Sequence, residues 1–297
     1  MPFNWRSHLP VFIKKAYKWL KKRLFYFQMN RQLKKGRVWK STDLISQLQN
    51  AKISSGDHLM VHASMSKIGI LEQGPQTFID ALIEVVGPKG LILMPTSPIK
   101  GLQLAYVQKQ PLFDVKHTPS AMGAISEAFR NYPNVHRSHH PTESVAAWGE
   151  CAIEYLKDHI AQNTPYHQNS PYGKLIQNKG KILYIGVTLE NAGTHLHTLE
   201  DALDIGLPVY APEVFYLDVI DMNRNLLKVE TKVHSPIYSK KRRCDELLPM
   251  FLSKGVYQEV KIGNAKTLLF DAELMFKVMT EAYLERGVTM YKPFGNQ

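Results

Sequence analysis

Residues 56–94 read GDHLMVHASMSKIGILEQGPQTFIDALIEVVGPKGLILM, and the order of patterns in this stretch decides the fold class. Gly56-Asp57 is a turn signal. It opens His58-Leu59-Met60-Val61-His62, a short run of strand character. From Thr77 to Val86 the apolar residues recur at helical spacing, and Gly87-Pro88 stops that helix. Leu91-Ile92-Leu93-Met94 then forms a continuous apolar run, the pattern of a strand buried on both faces. Strand, helix and strand in that order begin an α/β chain.

Upstream, the helix-capping residues Ser41-Thr42-Asp43 precede Leu44, Ile45 and Leu48 on one helical face, so the body of the protein starts there. Downstream, residues 120–131 and 149–158 are predicted helices, and Lys181 to Val187 a short buried strand. Val214 to Val233 alternates like a pair of antiparallel strands around a turn at Asn223-Arg224-Asn225. Residues 244–253 and 272–285 read as helices. The expectation is a mixed α/β fold: a single domain over residues 41–297, its central sheet flanked by helices, with a later antiparallel β segment.

The formal charge of +11 is not spread over the chain. Residues 1–40 hold twelve Lys or Arg and no acid, which leaves 25 bases against 26 acids elsewhere. The body therefore has no basic surplus for nucleic acid, and none is expected as a partner. Within the arm, Phe12, Ala16, Trp19 or Leu20, Leu24 and Phe27 share a helical face, while Lys14, Lys15, Lys18, Lys21, Lys22 and Arg23 crowd the rest. Two readings stand: a helix lying on an anionic membrane surface, or one packed on the body or a neighbouring subunit. No apolar run reaches the roughly 18 residues of a spanning helix. The N-terminus lacks a signal-peptide pattern. Cys151 and Cys244 stand outside any C-x-x-C pattern and are expected as reduced thiols. A cytoplasmic protein follows, with peripheral contact at the inner face of the membrane if the arm binds lipid.

Absent motifs narrow the chemistry. There is no G-x-S-x-G elbow, no G-x-G-x-x-G or G-x-x-x-x-G-K-[ST] loop, and no [QR]-x-x-G-x-[GA] cofactor loop of GNAT-type acetyltransferases. Histidines gather in His136-Arg137-Ser138-His139-His140-Pro141-Thr142-Glu143-Ser144 and in Thr194-His195-Leu196-His197-Thr198-Leu199-Glu200. As metal ligands, His136, His139, His140, His195 and His197 would suit a metal-dependent hydrolase, with Glu200 or Asp201 as oxygen ligand. As acid–base groups, one imidazole would take a proton while a carboxylate orients it. Spacing alone leaves both open. A third reading is a non-enzymatic membrane- or polyanion-binding protein driven by residues 1–40.

Several blocks in register resemble one family. Val61-His62-Ala63-Ser64-Met65-Ser66-Lys67-Ile68-Gly69 is similar to the opening signature of the aminoglycoside 3-N-acetyltransferases. Thr118-Pro119-Ser120-Ala121-Met122-Gly123 follows in order. Arg137 to Gly149 is similar to their R-S-x-H-P-x-x-S-x-x-A-x-G. Ser170-Pro171-Tyr172-Gly173, Leu183-Tyr184-Ile185-Gly186 and Ile262-Gly263-Asn264-Ala265 also fit. Thr194 to Glu200 resembles N-T-x-x-H-x-x-E, with Gly193 in place of the Asn. The resemblance runs from about residue 41 to 285 and leaves the basic arm outside.

The resemblance implies an N-acyltransferase that moves an acetyl group from acetyl-coenzyme A to an amine of an aminoglycoside or amino sugar, an activity that confers antibiotic resistance. Metal is not implied. Such a reaction needs a base to neutralise the amine, and an imidazole titrates in the right range. By resemblance His140 is that base, Glu200 the carboxylate that orients it, and His197 a second imidazole in the site. Ser64, Ser66, Lys67, Ile68 and Gly69 would cradle the cofactor, with Lys67 and Arg137 on its phosphates or Arg137 paired with an internal acid. His62 and Asp114 would line the acceptor side, and Thr142, Ser144 or a nearby backbone N–H would donate to the oxyanion. With no positioned cysteine, direct attack in a ternary complex is expected.

Overall fold

The computed structural model describes residues 38–292 together with Arg23 and Phe27. Arg23 and Phe27 are helical, and the rest of the basic arm, with the remainder of the helix expected from Leu9 to Phe27, lies outside the described residues.

The stretch that opened the sequence reading forms the centre of the fold. The strands in chain order are β1 (Val38–Trp39), β2 (His58–Ala63), β3 (Ile70–Leu71), β4 (Leu91–Pro95), β5 (Phe113–Asp114), β6 (His136–Arg137), β7 (Val145–Trp148), β8 (Lys181–Ile185), β9 (Phe215–Ile220), β10 (Leu226–Thr231), β11 (Tyr257–Ile262) and β12 (Ala265–Asp271). Seven of them build one sheet in the order β11-β12-β8-β2-β4-β7-β6. β8, β2 and β4 run parallel at its middle, and the flanking pairs are antiparallel.

Side chains alternate across a strand, so each central strand feeds two cores. Leu59, Val61, Ile92, Met94, Leu183 and Ile185 point to one face. There they meet helices α1 (Ser41–Asn50) and α3 (Pro75–Val86), which follows the single turn α2 (Met65–Ile68). On α3, Phe78, Leu82 and Val86 are fully buried at i, i+4 and i+8. Each such side chain contributes about 1.5–3 kcal/mol, more than the helix gains from its ends. Pro75 occupies its first turn, and Gly87 at φ +64° ends it. The other face carries Met60, Leu91, Leu93, Ile182 and Tyr184, packed on residues of the helix Pro171–Gln177 and the C-terminal helix Ala272–Arg286.

The alternating segment is an antiparallel hairpin, β9 with β10, turning through residues 221–225. Asp221 Oδ1 accepts from the backbone N–H groups of Asn223 and Asn225, each at 2.8 Å. The hairpin joins β5 in a separate sheet, β10-β9-β5. Two predicted helices are shorter than expected. Gly123 and Gly149, at φ +122° and +132°, delay the start of helices Ala124–Arg130 and Ala152–Leu156. β7, β11 and β12 were not anticipated. Among the described residues no helix is long and apolar enough to cross a membrane.

Candidate active site

Ligand sites in sheets of this kind gather at the carboxyl ends of parallel strands. Here β2 and β8 end side by side, with His62 in register with Tyr184 and their rings stacked 5.0 Å apart. After β2 the chain turns at Ser64, whose N–H donates to Ile185 O at 2.9 Å, and enters α2. The first N–H groups of such a turn have no partner within it. An open groove of about 440 Å³ lies here, lined by Ser64, Met65, Ser66, Met122, Gly123 and Val187. A larger cavity of about 530 Å³ opens beside β6, lined by Val115, Arg130, His139 and Leu156 among others. Neither space is lined by His197 or Glu200, and Glu200 lines a separate cavity of about 270 Å³ with Tyr210 and Pro208.

The second histidine block folds as a 3₁₀ turn, Thr194–His197, running into the short helix Thr198–Ala202. This places His197 and Glu200 three residues apart on one face, and His197 Nδ1 lies 2.9 Å from Glu200 Oε2. His234 Nε2 approaches the same oxygen at 2.9 Å. The Tyr291 hydroxyl donates to Oε1. The Glu200 side chain is 1% exposed. Burial alone would raise its pKa, but the two imidazoles and their hydrogen bonds hold the carboxyl well below the usual range. Burial pulls His197 down to about 3, so its ring rests neutral. Tyr166 stacks over that ring at 4.9 Å. With Nδ1 committed to Glu200, the Nε2 lone pair is the basic atom.

The structure brings only part of the expected site together. His140 is fully buried, with its pKa drawn to about 3 by burial. Its Nδ1 accepts from the Glu143 N–H at 3.1 Å, its ring stacks on His159, and its Nε2 is enclosed without a partner. Glu200 was expected to orient His140. It contacts His197 and His234 instead, because the 3₁₀ turn presents His197 to it and the segment after β10 brings in His234. Arg137 is engaged by the protein itself. It is buried, donating to the carbonyls of Thr96, Val115 and Thr118 and lying 4.7 Å over the Phe113 ring. Ser144 and Thr142 are fully buried beside it, with Ser144 Oγ donating to Thr96 O and Thr142 Oγ1 3.3 Å from His140 Nδ1. Neither is free to meet an oxyanion. Asp114 lies in the small sheet, held by Arg224 at 2.6 Å and by the N–H groups of Lys116 and His117.

In the cradle, Ser64 and Ser66 line the groove and Lys67 is exposed on the same turn. Ile68 is a core residue, and Gly69 faces Trp39 and Asn264. His62 reaches the site: its Nε2 lies 3.5 Å from Thr194 Oγ1, and burial draws its pKa to about 3. Of the five histidines in the metal reading, only His197 joins a close group of three, with Glu200 and His234, and there the polar atoms already hydrogen-bond one another. His234, Tyr291, Tyr166 and Gln103 were missed. No residue pattern near them marks the role.

The family model described as aminoglycoside 3-N-acetyltransferase matches residues 60–284. The chain belongs to the aminoglycoside 3-N-acetyltransferase family. It is an acetyl-coenzyme A-dependent N-acetyltransferase. Among curated relatives, aminoglycoside N(3)-acetyltransferase IX of Micromonospora chalcea is 29% identical over 251 residues, covering 77% of this chain and 88% of the relative. A solved structure described as AAC-VIa bound to sisomicin is 29% identical with a TM-score of 0.68, covering 81% of this chain and 96% of that one. Another acetyltransferase of the family, AAC-IIIb in binary complex with CoASH, shares the fold at 24% identity and a TM-score of 0.68, covering 88% and 99%.

Proposed function

We propose that this acetyltransferase acts on an amine of an aminoglycoside, by direct attack in a ternary complex, with His197 as general base and Glu200 as its carboxylate. The relation that carries the reading is the 2.9 Å contact between His197 Nδ1 and Glu200 Oε2. The acceptor class follows the relatives, one named as an aminoglycoside N(3)-acetyltransferase and another solved with sisomicin bound.

An aliphatic amine is protonated at neutral pH and must lose that proton to attack. His197 Nε2 takes it, and the Glu200 carboxylate stabilises the imidazolium that forms. The neutral nitrogen adds to the thioester carbonyl, the C–S bond breaks, and the coenzyme A thiolate recovers the proton from His197, which then accepts the second proton the nitrogen sheds as the amide forms and passes it to solvent. Ser64 and Ser66 hold the cofactor in the groove beside β2 with Lys67 on the same turn, and His62, at the end of β2, meets Thr194 of the 3₁₀ turn that carries His197. Buried carboxylates also suit a polycationic acceptor. Burial raises Glu143 to about 7 and Asp201 to about 6, so a nearby ammonium would favour their charged forms.

The test is free-thiol release from acetyl-coenzyme A with an aminoglycoside present. His197→Ala should lower kcat about a hundredfold or more while acetyl-coenzyme A still binds. His140→Ala, where folded, should stay within about tenfold of the parent. The reverse order would return the base to His140 and reject this assignment.

A further inference from the structure

The hydrogen bonds around His234 fix where its protons are. Its backbone N–H donates to Gln103 Oε1 at 2.8 Å. A backbone amide can only donate, so the Gln103 side chain must turn its oxygen toward His234. The other end of that amide agrees, since Gln103 Nε2 donates to Glu143 Oε1 at 2.5 Å. His234 Nδ1 then faces the same Gln103 oxygen at 3.3 Å, and Nε2 faces Glu200 Oε2 at 2.9 Å. Both neighbours are acceptors. A neutral imidazole has one N–H and would leave one nitrogen lone pair against an oxygen. Only the doubly protonated ring satisfies both contacts.

The geometry points to His234 as a positioning residue that carries a proton on each ring nitrogen and serves as the resting counter-charge of Glu200. His197 can then stay neutral. In an isolated imidazole–carboxylate pair the negative charge would raise the base and keep it protonated at neutral pH. A second, charged imidazole on the same oxygen offsets that pull. The result is a base that is free to act at lower pH.

The surroundings of His234 bear on this balance from every side. Glu200 and His197 face it from the 3₁₀ turn and the helix after it, with the His197 ring centroid 4.1 Å away. Tyr210 stacks on it at 4.8 Å and donates to Asp201, while Tyr166 lies at 5.8 Å. Burial, the largest influence, and the charge of Arg242 together pull its pKa below the usual value although Glu200 raises it, and the two facing acceptors are the geometry that stands against that direction. Tyr291 donates to Glu200 from the far side, and Glu143 is linked through Gln103. Of these, Glu200 makes the only direct contact between His234 and a carboxylate among the described residues.

The kinetic consequence rests on the reading of His197 as base, but the protonation itself does not. Nitrogen-15 NMR of histidine-labelled protein without substrates, assigned through His234→Gln, reads the ring directly. Two protonated nitrogens at pH 7 are expected, and a neutral tautomer there would overturn the proposal. In the pH profile of kcat/KM, His234→Gln keeps one donor to Glu200 but loses the charge. Its acid limb should move upward by about one pH unit or more. An unmoved limb with an active variant would also overturn the proposal. If the NMR result holds while His197→Ala keeps full activity, the assignment of the base fails and the counter-charge stands.

Discussion

The guanidinium of Arg137 lies 4.7 Å over the Phe113 ring and ties the start of β7 to the loop after β4. Its donors reach the carbonyls of Thr96 at 2.6 Å, Thr118 at 2.6 Å and Val115 at 3.2 Å, and its Nε meets the hydroxyls of Thr96 and Ser144. A residue spent in this way is a structural pin between three loops.

Arg137→Ala should therefore act on stability. It strands several buried acceptors at once, each costing roughly 1–3 kcal/mol, so a loss of about 3 kcal/mol or more is expected in urea unfolding. Arg137→Lys restores the charge without the planar fork and should recover only part of it. The KM for acetyl-coenzyme A of any variant that folds should stay within about threefold of the parent. A large rise in that KM with unchanged stability would return Arg137 to the cofactor.

Buried rings, His62 and His140 among them, set a pH dependence of stability. Burial lowers His62 and His140 from 6.5 to about 3. The unfolded chain binds protons that the folded protein refuses, so the folded state is disfavoured as pH falls. Stability is fully present above about pH 6.5 and is lost through the window from there down to about 3. Each ring contributes a slope of about 1.4 kcal/mol per pH unit within it. Urea midpoints compared between the parent and His140→Gln isolate one ring. The variant should show the shallower decline from pH 6 to pH 4, and parallel declines would refute the assignment.

What the sequence made legible follows from range. β2, α3 and β4 were readable because their periods, two and 3.6, are written within each segment. β11 was not, since its pattern of buried and exposed side chains does not alternate cleanly. β12 inserts between β11 and β8, a pairing that no local pattern records. The site divides the same way. His197 and Glu200 share one short segment, and their spacing already put them on one face. His234 and Gln103 arrive from other segments as a lone histidine and a lone glutamine. The His140 block drew attention for its residue types, yet many of its polar groups, those of Arg137 and Ser144 above all, are spent on backbone carbonyls. Such partners leave no mark in a sequence.

Gly186 offers the sharpest test of the cofactor groove. It ends β8 at φ +65°, with its N–H donating to Lys266 O at 2.9 Å. A Cβ there would stand 2.3 Å from Lys67 Cβ and 3.3 Å from Ala265 Cβ. Lys67 Cβ is the root of its side chain and cannot swing away, so α2 itself must move. Gly186→Ala combines that displacement with a left-handed backbone that alanine resists, at a cost of about 1–3 kcal/mol. Because Ser64 and Ser66 belong to the same turn, the KM for acetyl-coenzyme A should rise several-fold while the KM for the aminoglycoside changes little. Steady-state kinetics with each substrate varied in turn decides it. A rise confined to the acceptor would place the cofactor outside this groove.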